Sequence, residues 1–246
     1  MIYDQAAALY DLQYAAYRDD VPFYLRLADD QGGPVLELGA GTGRVTEALL
    51  AAGHEVVAVD ASAAMLARAR ERLGDRPGLR LVHGDMREVR LGRRFPLVIA
   101  PFNTLMHAYT LDDQDRTLAT VTAQLEPGGA FAFDLYLPRF GPMGVVRREE
   151  EWGELAPSTE LFLVQHHDPA AQLVRSVYYL DETDAEGVVR RRTARLEQRY
   201  YHRFELERAL RAAGLPRVQL FGGFDRSRLD ERSALMVGVA RAAVGA

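Results

Sequence analysis

Apolar positions recur along the chain with two alternating periods, and that alternation predicts an α/β fold. Val35, Leu36 and Leu38 form a short apolar run that ends in a glycine-rich turn. Val45, Ala48, Leu49 and Ala52 then recur at helical spacing until Gly53 supplies a C-terminal cap. His54 to Val59 predicts a second buried strand that ends at Asp60. The pattern repeats with a helix over Ser62 to Leu73, a strand over Leu79 to Val82 and another over Phe95 to Ala100. A further helix starts at Thr110, which stands at capping-box spacing from Asp113, and runs through Leu125. Pro127, Gly128 and Gly129 break it before a strand over Ala130 to Leu135. Buried strands separated by single helices require crossover connections and parallel pairing.

Between Leu137 and Tyr200 the rhythm changes. ELFLVQHHD, QLVRSVYYLD and GVVRRRTARLEQRY have strand composition and are separated by turn residues, which predicts three antiparallel strands inserted into the parallel domain. The earlier pattern then returns: a helix marked by Leu206, Ala209, Leu210 and Ala213, and two strands over Val218 to Phe221 and Ala234 to Ala240. At the other end, residues 1–31 predict two helices with Tyr3, Tyr10, Tyr14 and Tyr17 on overlapping faces. These rings either pack the arm against the domain or, at Tyr10 and Tyr14, also touch a ligand.

Composition narrows the chemistry. A chain of 246 residues buries a full core without covalent staples. It has no cysteine, which excludes thiol nucleophiles, iron-sulfur clusters and cysteine-ligated zinc, and every basic residue is arginine, which excludes Schiff-base chemistry and a lysine-dependent P-loop. A net charge of -5 argues against broad nucleic-acid binding. No 18-residue apolar stretch or signal-peptide core is present, so a cytoplasmic protein without a membrane segment is expected. His166 and His167 are adjacent on a predicted strand and point to opposite faces, so no metal site is expected there.

Function concentrates at the first turn. Gly39, Gly41 and Gly43 let backbone approach a nucleotide-like ligand, and Asp60, closing the second strand, is placed to accept from both ribose hydroxyls. Glu37 lies inside the preceding strand, where a buried acid needs donors or a cation such as a cofactor ammonium. Asp85 follows the third strand and either accepts from an adenine amino group or caps a turn. The glycine turn and strand-two acid are shared by nicotinamide-dependent oxidoreductases and by binding proteins without activity, so both stand as alternatives.

ELGAGTGR, followed by VDAS, GDM and FNTLMH, resembles the class I S-adenosylmethionine-dependent methyltransferases, strongly over residues 34–135 and less specifically over the final helix and two strands. The resemblance implies a Rossmann-like, mostly parallel seven-stranded sheet in the order 3-2-1-4-5-7-6 with helices on both faces, the last strand antiparallel. It implies S-adenosylmethionine as cofactor and S-adenosylhomocysteine as product. Glu37 and Gly39 would lie near the methionyl moiety, Asp60 on ribose and Asp85 on adenine, with Met65 and Met86 beside the adenine or simply in the core. Ala40, Gly41, Ala61 and Pro101 complete the candidate cofactor contacts, and the opening YDQAAALYDLQY is similar to the family's cofactor lid, which makes Tyr10 a further candidate. The division expected is a helical lid over 1–31, a cofactor-binding core over 32–136, an antiparallel cover for substrate or dimer over 137–200, and completion of the sheet over 201–246.

PFNTLMH lacks the (N/D)PP(Y/F/W) motif of nucleic-acid amine methyltransferases, and the absent cysteine excludes cytosine C5 transfer. The expected acceptor is therefore a small molecule methylated on nitrogen or oxygen. His107, beyond the fourth strand, is a candidate base or a loop-fixing residue. Asn103 positions the acceptor or holds the loop, and Tyr14 is a third candidate acceptor contact. Trp152 anchors the cover or meets an aromatic acceptor. The arginines Arg190, Arg191, Arg192, Arg195 and Arg199 form a solvated or intersubunit strand, a substrate-charge clamp or an RNA contact.

Overall fold

The computed structural model describes Tyr14, residues 17–138, the backbone of 150–156 and residues 159–244. The first predicted helix, with Tyr3 and Tyr10, lies outside the described residues. Strands β1 (Val35–Leu38), β2 (Val56–Asp60), β3 (Leu79–His83), β4 (Phe95–Ala100), β5 (Leu125–Tyr136), β10 (Arg217–Phe221) and β11 (Leu235–Arg241) form a seven-stranded sheet in the order β10-β11-β5-β4-β1-β2-β3. The five strands β1 to β5 pair in parallel, while β11 runs antiparallel to both β5 and β10. This is the expected mixed sheet.

Alternation along the buried strands sorts their side chains to two faces. Leu97, Ile99, Ala130, Ala132, Val237 and Val239 meet Phe23, Tyr24 and Leu27 of α1 (Val21–Gln31) and Val45 and Leu49 of α2 (Arg44–Ala51). Leu36, Leu38, Val98, Phe131 and Phe133 meet Leu118 and Val121 of α4 (Leu111–Gln124) and Leu206 and Leu210 of α5 (Arg203–Ala212). Between them in sequence, α3 (Ala63–Leu73) is capped by Ser62, whose hydroxyl accepts from the Met65 amide. The Thr110–Asp113 capping box forms as its spacing predicts. At Gly238, opposite Phe133 on β5, a Cβ would run into the phenyl ring, so glycine is the residue that lets these strands close.

Two elements differ from the sequence reading. Strand β5 begins at Leu125, because Leu125 pairs with Phe95 before the register jumps to Leu97 and Ala130, and the Pro-Gly-Gly stretch is absorbed as a bulge. Among the described residues the inserted sheet has four strands, β6 (Glu150–Ala156), β7 (Thr159–Asp168), β8 (Leu173–Thr183) and β9 (Val189–Arg199), in sequential antiparallel order. EEWGELA carries little intrinsic strand preference; it is extended because the edge of β7 pairs with it. On one face of this sheet, Leu161 and Leu163 of β7 and Tyr178 and Leu180 of β8 are buried with Ala194 and Leu196 of β9.

Candidate active site

The turns that leave β1 to β4 converge at the carboxyl ends of the strands, the crevice where open α/β sheets bind ligands. A cavity of about 450 Å³ lies there, enclosed by Gly39 and Gly41 after β1, Asp60 ending β2, Asp85 and Met86 after β3, and Pro101 to Thr104 after β4. Ala61, Met65, Tyr14 and His107 also line it. Eleven sequence-predicted site residues thus share one cavity: Tyr14, Gly39, Gly41, Asp60, Ala61, Met65, Asp85, Met86, Pro101, Asn103 and His107. Glu37 and Ala40 do not line it, and Tyr10 lies outside the described residues.

Gly39 has φ +67°, and a Cβ there would stand 2.5 Å from Thr104 Oγ1. The close approach of the post-β4 loop is reason enough for this glycine. The Gly41 and Ser62 amides each donate to one oxygen of the Asp60 carboxylate at 2.8 Å, which binds the glycine turn to the start of α3. A carboxylate offers about four lone-pair sites, so these contacts are compatible with accepting from a ribose diol. Glu37 is buried and takes a 2.5 Å hydrogen bond from the Thr46 hydroxyl; burial pushes its pKa up to about 7. The donor that a buried acid needs is thus present within the protein.

Asp85 is held by Arg87, whose Nε and Nη2 donate to it at 2.6 to 3.0 Å, while Arg87 Nη1 reaches Asp113 at 2.6 Å. These hydrogen bonds hold the Asp85 carboxyl below the ordinary aspartate range. Arg87 also lines the cavity, and the sequence reading missed it. Its position two residues from an acid on the same loop was the available signal.

The post-β4 loop takes an unusual path. Phe102 and Asn103 adopt left-handed conformations, with φ of 55° and 65°. Asp134 of β5 enforces them: its Oδ1 accepts from the Phe102 amide at 2.8 Å and its carbonyl from the Asn103 amide at 3.1 Å. The Asn103 Oδ1 in turn accepts from the Tyr136 amide at 2.6 Å, so this residue holds the loop while lining the cavity. Burial raises the Asp134 pKa to about 6, opposed by a hydrogen bond from the Tyr24 hydroxyl at 2.6 Å. Tyr14 meets the Phe102 ring edge-on at 4.7 Å, and Phe102 also lies beneath the Arg44 guanidinium, 5.4 Å away.

His107 ends a short 3-10 turn, Thr104–His107, and burial drives its pKa down to about 4. Its Nδ1 lies 3.1 Å from the Tyr109 hydroxyl, which donates to the Glu197 carbonyl at 2.8 Å. Glu197 belongs to β9, so the inserted sheet reaches the core here; just past the end of β9, the Tyr201 hydroxyl donates to the Leu105 carbonyl at 3.0 Å. The cover closes the cavity with Tyr178 of β8 and Ala194, Arg195, Leu196 and Gln198 of β9. Adjacent residues of β8 differ in whether they take part. Tyr178 lines the cavity, whereas Tyr179 lies 4.9 Å below the Arg191 guanidinium on the other face. Arg191 and Arg192 are paired with Asp181 and Glu182, Arg199 donates to the Tyr109 carbonyl, and Arg195 lines the cavity. Trp152 belongs to β6, and its side chain is outside the described atoms. His167 is buried and His166 exposed, so the two rings lie on opposite faces as alternation predicts; no metal-binding group of three ligands exists among the described residues.

Comparison with known proteins agrees with this geometry. A methyltransferase-domain family matches residues 35–129. The solved structure of the CcbJ methyltransferase from Streptomyces caelestis is 30% identical, with a TM-score of 0.84 over 98% of both chains. A dTDP-3-amino-3,4,6-trideoxy-alpha-D-glucopyranose N,N-dimethyltransferase of Streptomyces venezuelae is 28% identical, covering 88% of this chain and 92% of its own. A dTDP-3-amino-3,6-dideoxy-alpha-D-glucopyranose N,N-dimethyltransferase of Streptomyces fradiae is also 28% identical, covering 89% and 87%. The glycine turn, the strand-end acid and the covered cavity therefore belong to a class I S-adenosylmethionine-dependent methyltransferase acting on a small-molecule acceptor, and this chain is a member of that family.

Proposed function

We propose that this enzyme methylates an amine nitrogen of a small polar compound such as an amino sugar. The observation that carries the reading is a single cavity, walled on one side by the glycine turn and Asp60 and on the other by the apolar face of the inserted sheet. S-adenosylmethionine, when bound, supplies a methyl group already activated on a sulfonium. Gly39, Gly41, Asp60, Asp85, Met65 and Met86 hold it, and the cover excludes water and confines the acceptor. A histidine with its pKa pushed to about 4 is a weak base at neutral pH. His107 therefore orients the acceptor by accepting a hydrogen bond, which suits a neutral amine better than an alcohol that must be deprotonated. The amino-sugar N,N-dimethyltransferases among its relatives support the same choice.

The proposal keeps the sequence division into lid, core, cover and sheet completion, with residues 21–31 contributing core packing through Phe23, Tyr24 and Leu27. It also places the enzyme in the cytoplasm, acting on neither nucleic acid nor membrane; no helix among the described residues is long and apolar enough to cross a membrane. Strands β6 and β9 are the edges of the cover, which supports a homodimer through strand pairing. Turnover to S-adenosylhomocysteine, measured with matched amino and hydroxy sugars, tests the acceptor. Methylation of the hydroxy compounds in preference to the amino ones overturns it.

A further inference from the structure

Tyr109 connects the cover to His107 in a way that restricts where protons can sit. Its hydroxyl stands 2.8 Å from the Glu197 carbonyl oxygen and 3.1 Å from His107 Nδ1. A carbonyl oxygen only accepts, so the single hydroxyl proton points at Glu197. Toward His107 the hydroxyl can then offer only a lone pair, and a 3.1 Å contact is favourable only if Nδ1 carries hydrogen. In a neutral imidazole that is the one ring proton, which makes Nε2 the accepting nitrogen.

We infer that Tyr109 is a positioning residue that sets the tautomer of His107, and that it does so only while strand β9 of the cover is seated. The inference rests on the reading of His107 as an acceptor contact. Tyr109 is held to β9 at both ends: its hydroxyl donates to Glu197, and its carbonyl accepts from Arg199 Nη1 at 3.0 Å. Removing β9 removes the carbonyl that claims the hydroxyl proton. The hydroxyl is then able to donate to Nδ1, and the ring proton moves to Nε2, which changes Nε2 from acceptor to donor. An amine whose N–H is donated to Nε2 keeps its lone pair for the methyl carbon, whereas an N–H at Nε2 would compete for that lone pair. Closure of the cover thereby sets the polarity of the site as well as excluding water.

The test combines histidine-labelled nitrogen NMR with kinetics. Long-range proton–nitrogen spectra of the S-adenosylhomocysteine-bound protein report the tautomer, and the His107→Ala spectrum identifies the His107 signal among the six histidines. The expected wild-type spectrum has the proton on Nδ1, and Tyr109→Phe shifts population to Nε2–H. A proton on Nε2 in wild type, or an unchanged tautomer in Tyr109→Phe, overturns the inference. In turnover, Tyr109→Phe is expected to lower kcat roughly tenfold, the scale of one lost hydrogen bond. Adding it to His107→Ala, or to His107→Gln if the alanine variant unfolds, should then change the rate less than about twofold if the two act as one unit. An equal further loss in the His107 variants means Tyr109 acts only by holding the cover, which overturns the positioning role. Wild-type turnover in both His107 variants, with the Nδ1–H tautomer confirmed, instead defeats the acceptor-contact reading and the positioning role with it, while the tautomer assignment stands.

Discussion

Arg44 and Asp20 face one another through two 2.6 Å hydrogen bonds, Nη1 to Oδ1 and Nη2 to Oδ2, with side-chain exposures of 5% and 0%. The pair joins the segment preceding α1 to the first turn of α2, directly after the glycine turn. Arg44 also reaches the Tyr17 carbonyl and stacks on the Tyr17 and Phe102 rings, so one guanidinium gathers the amino-terminal arm, the glycine turn and the post-β4 loop.

Breaking this pair from one side leaves a buried charge without its partner. Asp20→Ala should cost about 3 to 5 kcal/mol of stability, while a double replacement by Asp20→Leu and Arg44→Met should cost less than the single change. Urea denaturation of the three proteins decides it; a single variant as stable as wild type contradicts the buried-pair account.

Asp60 binds the glycine turn through Gly41 and is the proposed ribose contact. Asp60→Asn, which preserves volume, should weaken S-adenosylhomocysteine binding by roughly tenfold or more, the value of one charge-assisted bond. Calorimetry gives the affinity directly. Unchanged affinity in a folded variant removes Asp60 from the cofactor site.

Two buried acids set a pH dependence of definite sign. Glu37 titrates near 7 in the folded protein against an ordinary value of 4.5, and Asp134 near 6 against 3.8. Between each pair of values the native state holds the extra proton, so stability falls as pH rises, by at most about 1.4 kcal/mol per pH unit per group. His107, lowered from 6.5 to about 4, acts oppositely: its contribution is complete above pH 6.5 and is lost as pH falls through that window. Glu37→Gln should flatten the decline between pH 4.5 and 7, read from urea melts across that range. A variant with the wild-type pH slope would show that Glu37 does not titrate there.

The cover should govern the acceptor and leave the cofactor alone. Tyr178→Ala and Gln198→Ala, both on the cavity wall, are expected to raise the acceptor KM about tenfold, with S-adenosylhomocysteine affinity changed less than about threefold. Equal loss of both affinities would mean that the cover organises the whole site rather than its acceptor half.

Glycine at position 238 is required by the Phe133 ring opposite it. Gly238→Ala should destabilise by about 1 to 3 kcal/mol, the usual cost of overpacking. Thermal melts measure it, and an unchanged midpoint would mean the strands separate without penalty.

Local pattern by itself determined the parallel strands, the helices between them, the Thr110–Asp113 cap, the glycine turn and the acid at the end of β2, because each is written in the spacing of neighbouring residues. It also put His166 and His167 on opposite faces of their strand, since strand alternation needs no tertiary information; which of the two is buried came from the packing of the cover. What only the tertiary structure decided is the partner of each polar group. Asp85 is claimed by Arg87, Glu37 by Thr46 and Asp20 by Arg44, and Tyr109 is divided between His107 and Glu197. Periodicity places a side chain on a face; it does not say which distant donor arrives there. The strand β6 has the same origin: EEWGELA is extended because β7 presents unpaired backbone beside it, and that edge exists only once the cover has folded.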